Sequence, residues 1–111
     1  MIYLNRDFDD ITKVIQQNIS TAMIYAERIK EGIVSENPRI IFYLNKAMYN
    51  MGIAQSVYYA NVPELSIPGI KELFFQFNVF TEEVLNNYVE DHSHQWSFLE
   101  FDKLKEIYKS L

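Results

Sequence analysis

A chain of 111 residues, 49% apolar and 15% aromatic, has the length of one domain and enough apolar surface for a core without staples. The absence of cysteine excludes disulfides, thiolate metal sites and cysteine nucleophiles. The net charge of −5 is unevenly spread: Glu72, Glu82, Glu83, Glu90, Asp91, Glu100 and Asp102 follow one another with no Lys or Arg between them, which disfavours contact with a phosphate backbone.

Met1–Asp10 lacks the basic start and apolar run of a secretory signal. No apolar stretch approaches the roughly 18 residues of a membrane span. The expectation is a soluble cytoplasmic protein that neither spans a membrane nor binds nucleic acid directly. Residues 1–111 read as a single domain, with no repeat, linker or low-complexity tract.

The first helix is predicted from about Asp7 to Glu31. Phe8, Ile11, Ile15, Ile19, Ala22, Ala26, Ile29 and Ile33 recur at spacings that share one face of a 3.6-residue period. Asp7, Asp9 and Asp10 suit the positive end of the helix dipole. Gly32 is the expected stop.

The second helix is expected from Pro38, capped by Asn37, to about Ala60. Ile40, Ile41, Leu44, Ala47, Met48, Met51, Ala54 and Tyr58 form its main stripe. Phe42, Tyr49 and Ile53, with Ala60, form a second stripe roughly opposite. Such a helix is usually buried on two sides.

After a proline-containing loop, the third helix is expected from Pro68 to Glu90, capped by Ser66. Ile70, Leu73, Phe74, Phe77, Phe80, Val84 and Tyr88 make its core face, with Phe75 and Val79 outside it. The fourth is predicted to open on a capping box, Ser97-Phe98-Leu99-Glu100, with Trp96 and Phe101 spaced as a hydrophobic staple. Phe101, Leu104, Ile107, Tyr108 and Leu111 follow at helical spacing. The fold class is all-α: a single antiparallel four-helix bundle, three long helices and one shorter C-terminal helix.

Candidate chemistry is sparse. His92 and His94 are the only imidazoles, and with Glu90 and Asp91 they raise a metal site. Side chains two residues apart diverge on a helix, and there is no third His, so a polar loop is the expected reading. Di-iron bundles use Glu-x-x-His on two helices, whereas Asp91-x-x-His94 is the nearest match here and occurs once. Three scattered glycines make no phosphate loop, and there is no Gly-x-Ser-x-Gly nucleophile turn. Tyr43, Tyr58 and Tyr59 lack the basic strip that accompanies base stacking. Asn18 and Gln55 project into apolar stripes, where a buried amide needs a partner or lines a small ligand pocket.

At the level of shape, this helical arrangement resembles two groups of small proteins: HEPN domains and bacteriocin immunity proteins. The HEPN ribonuclease signature, an Arg followed four to six residues later by His, is absent after Arg6, Arg28 and Arg39. The functional expectation is therefore a small acidic, non-enzymatic interaction or regulatory protein, without metal or cofactor. It would self-associate as a homodimer, or bind a protein with a basic surface, through Phe42, Tyr49 and Ile53 and through Glu72, Glu82, Glu83, Glu90 and Asp91. The alternative is a small-ligand or metal-dependent enzyme built around a pocket in the bundle core.

Overall fold

The structure, a computed structural model, describes residues 8–90 and 97–111, which form helices and connecting loops with no strand among them. The helices are α1 (Phe8–Ser35), α2 (Ile40–Tyr59), α3 (Ile70–Glu83) and α4 (Leu99–Lys109). A π-helical segment, Val84–Glu90, prolongs α3 with a wider turn.

Contacts between successive helices trace an up-down-up-down order. Tyr25 on α1 meets Tyr43 on α2, with ring centroids 6.3 Å apart. Tyr58 near the end of α2 meets Phe74 on α3 at 6.1 Å. Gln76 on α3 reaches Glu100 at the start of α4. Lys105 pairs with Glu27 at 3.1 Å, and Tyr108 and Lys109 line a groove with Lys13 and Gln16, so later residues of α4 meet earlier residues of α1 and the two helices run antiparallel. The expected four-helix bundle is the observed fold.

Ile15, Ile19, Ala22, Ala26 and Ile29 are buried, so the stripe read on α1 is its core face. On α3, Ile70, Leu73, Phe74, Phe77, Phe80 and Val84 are likewise buried, while Phe75 is exposed. Phe80 stands 5.6 Å from Phe101, and these rings tie α3 to α4 at the centre of the core.

Gly32 does not end α1. It lies buried within the helix, and a Cβ there would stand 3.0 Å from Ile40 Cγ1. The missing side chain lets the start of α2 approach α1. The helix stops four residues later, at Glu36, whose φ is 58°. The Asn37 N–H donates to the Gly32 carbonyl at 2.8 Å and the Glu36 N–H to that of Ile33 at 3.4 Å. These two bonds are the Schellman pattern, with Glu36 in the place glycine usually takes.

The other expected caps differ more. Asn37 Oδ1 accepts from the Arg39 N–H at 2.9 Å, as a cap should, although α2 proper begins at Ile40. α3 begins after Gly69, φ 83°, with no side-chain cap, so Ser66 does not serve. The capping box of α4 does not form: the helix starts after Phe98, one residue past the serine, and that residue is left-handed at φ 60°. Ser97 Oγ accepts a long 3.4 Å bond from the Leu99 N–H. Glu100 turns instead to Lys103, at 3.3 Å, and to Gln76. The Phe98 ring lies 5.4 Å from Lys30 Nζ, a contact that the left-handed turn delivers. Trp96 lies outside the described residues.

The amides also sort differently from the sequence expectation. Asn18 is half-buried and donates back to the Val14 carbonyl of its own helix at 2.9 Å. Gln55 is half-buried as well. Among the described residues the buried amides are Asn61, which donates to the Val57 carbonyl at 2.7 Å, and Gln76.

Candidate interaction surface

α2 is the least amphipathic helix of the bundle, and Lys46 is its one charged residue. Ile40, Leu44, Ala47, Met51, Ala54 and Tyr58 face inward and are buried. Ile41, Phe42, Met48, Tyr49 and Tyr59 are exposed, Tyr49 to 68%. Ile53 is half-buried. Phe42 and Tyr49 thus lie off the core face as their spacing predicts, whereas Ile41 and Met48, assigned to the core by spacing, are also exposed. Their helical phase explains this: with a 100° step, both fall about 80–100° from the centre of the buried row.

Gly52 sits within this outer face. At the same step, the five exposed side chains span about 120° of arc around it. A Cβ on Gly52 would meet nothing within 4 Å, in contrast to Gly32. Packing within the protomer therefore gives no reason for a glycine there, and an interior helical glycine costs roughly 0.5–1 kcal/mol relative to alanine. Cations collect at the N-terminal end of the face. The Arg39 guanidinium lies 4.9 Å from the Phe42 ring and Lys46 Nζ 5.5 Å from it.

Among the described residues, the acids of the run do not all line one groove. Glu72 and Asp102 line a groove between α3 and α4 together with Gln76, Lys103, Glu106 and Ile107, with a volume of about 470 Å³. Glu82 is exposed and Glu83 half-buried toward the far end of α3. Glu100 is engaged with Lys103 and Gln76. Glu106 joins the groove although it lies beyond the uninterrupted acidic run, because helical spacing from Asp102 returns it to the same side. Glu90 ends the π-helical segment, and Asp91, His92 and His94 lie outside the described residues. Among the described residues no cluster of three His, Asp or Glu is placed to hold a metal ion, and no helix is long and apolar enough to cross a membrane.

A second groove runs between α1 and α4. Its wider part, about 510 Å³, is lined by Lys13, Gln16, Gln17, Ser20, Tyr108 and Lys109, among others. Its narrower part, about 230 Å³, shares Ser20 and Tyr108 and adds Met23, Ile24, Phe101 and the Glu27–Lys105 pair. Sequence reasoning missed this groove. The one available signal was the polar row Lys13-Gln16-Gln17-Ser20 at helical spacing, which reads equally well as a solvated face.

Comparison of the chain with known protein families, characterised proteins and solved structures gives no match.

Proposed function

We propose that this protein is a non-enzymatic interaction protein that docks through the outer face of α2. The observation that carries the reading is the set Ile41, Phe42, Met48, Tyr49 and Tyr59, all exposed on one helix of a bundle whose core is already closed on the other side. Large apolar side chains in line are prone to association, and fully burying each contributes roughly 1.5–3 kcal/mol. The carboxylates of Glu72, Asp102 and Glu106 in the α3–α4 groove supply a field that would speed encounter with a basic surface.

The test compares the wild-type protein with Tyr49→Glu. The substitution leaves the helical spectrum unchanged, because Tyr49 is 68% exposed. Association should be lost in two readouts: molar mass by light scattering, and the proteins captured from an extract of the native host. A folded variant that keeps both the mass and the captured set of the wild type overturns the reading.

A second reading has its own observation. Lys13 and Lys109 line the wide part of the α1–α4 groove, and neither has an ion pair among the described residues. A small anionic ligand fits that chemistry. Inorganic phosphate that raises the melting temperature of the wild type but not of Lys109→Ala would favour it over a purely protein-binding role.

A further inference from the structure

The α1–α4 groove changes character along its length. Lys13 and Lys109 line its wide part beside Gln16 and Gln17. Among the described residues neither ammonium has an ion pair or a hydrogen bond. The narrow part is lined by the buried Met23 and Phe101 and by Ile24, a large apolar side chain left 51% exposed. Glu27 and Lys105 stand at its far end, and their charges cancel across 3.1 Å. Ser20 and Tyr108 line both parts, so the two are one trough. The unpaired charge lining it is positive and stands at one end only, in a chain whose net charge is −5. From Ser20 to Glu27 the narrow part follows seven residues of α1, about 10 Å of helix. Spread over that length, its volume of about 230 Å³ leaves a cross-section of about 23 Å².

These dimensions and this polarity select the occupant. A helix with its side chains needs roughly 80 Å² and is too broad. An extended peptide would lay backbone N–H and C=O groups against Met23, Ile24 and Phe101, where nothing pairs them. A compact anion would meet the lysines and leave the apolar part wet. We infer that the groove is a site for a medium-chain fatty acid. Its carboxylate sits at Lys13 and Lys109, and its chain runs past Ser20 and Tyr108 into the narrow part. A chain of about eight to ten carbons has the length of that part. The inference rests on the anion-binding reading of this groove and names the chemical class of the ligand. Charge at one end fixes the direction of the chain, and the apolar walls supply the affinity.

The experiment titrates the full chain calorimetrically with hexanoate, octanoate and decanoate. Octanol and inorganic phosphate serve as the two halves of the ligand. Affinity should rise about two- to fourfold with each added methylene and level off once the chain fills the narrow part. Octanoate should bind about tenfold tighter than octanol or phosphate. Lys109→Ala should weaken octanoate about five- to tenfold and leave octanol unchanged. Ile24→Glu should stay folded, since Ile24 is half exposed, and should abolish the gain with chain length. Octanol that binds as tightly as octanoate overturns the inference, as does octanoate binding that Ile24→Glu leaves intact. Phosphate that stabilises the protein through Lys109, with octanoate no tighter, would defeat the fatty acid and leave the anion-binding reading standing. Absence of binding by both ligands would defeat both.

Discussion

The Gln76 side chain donates from Nε2 to the Glu100 backbone carbonyl at 3.0 Å and to the Glu100 carboxylate at 3.3 Å. This buried amide fastens α3 to the first turn of α4, where the capping box expected from sequence is missing. Gln76→Ala should therefore lower stability by about 1–3 kcal/mol, the cost of losing a buried partner. Denaturant titration measures it, and a change below the usual ±0.5 kcal/mol of surface sites would show that the bond contributes little.

The serine that heads the expected box should matter much less. Ser97 accepts one long bond and is exposed. Ser97→Ala should change stability by less than about 0.5 kcal/mol, not the 0.5–2 kcal/mol of a true N-cap. The same titration separates the two values.

Two glycines in neighbouring helices should respond with opposite signs. Gly32→Ala places a methyl 3.0 Å from Ile40 Cγ1 in a packed interior, and overpacking of that kind costs about 1–3 kcal/mol. Gly52→Ala meets open space and gains about 0.5–1 kcal/mol of helix propensity. Both are measured in dilute protein, so that association does not enter. Equal signs would contradict the different packing of the two sites.

Two phenylalanines differ in the same manner. Phe101 is fully buried against Phe80, with Lys30 Nζ 5.0 Å from its ring. Phe101→Ala should cost about 3–5 kcal/mol, a large share of the stability of a small domain. Phe75, 68% exposed, should tolerate alanine within about 0.5 kcal/mol. Thermal melts of the two variants give the comparison.

Much of the bundle was legible because three helices have one clear apolar phase. Ile15, Ile19, Ala22, Ala26 and Ile29 could lie only inward, and so could Phe77 and Phe80. On α2 the phase was ambiguous because apolar residues stand on nearly every side. Ile41 and Met48 were counted with the core for that reason, while Phe42 and Tyr49, nearly opposite the buried row, were placed correctly off the core face. Gly32 misled because a glycine that permits close packing and one that ends a helix look alike in sequence. Gln76 was overlooked because its partner is contributed by another helix, 24 positions away. The grooves were out of reach for the same reason: each is lined by residues of two helices, and the α1–α4 groove joins segments far apart in the chain.

α4 has 11 residues, fewer than the roughly 12–15 at which even favourable isolated helices become marginal in water. Its helical state therefore depends on Phe101 and Leu104 remaining in the core. Detachment of α4 and its melting are consequently a single event. Its backbone amides would exchange with solvent each time the Glu27–Lys105 and Gln76–Glu100 ties open together, while the interior of the 28-residue α1 stays protected. The C-terminal helix is thus the segment whose local unfolding would uncover Phe80 first, well below the free energy at which the whole bundle opens.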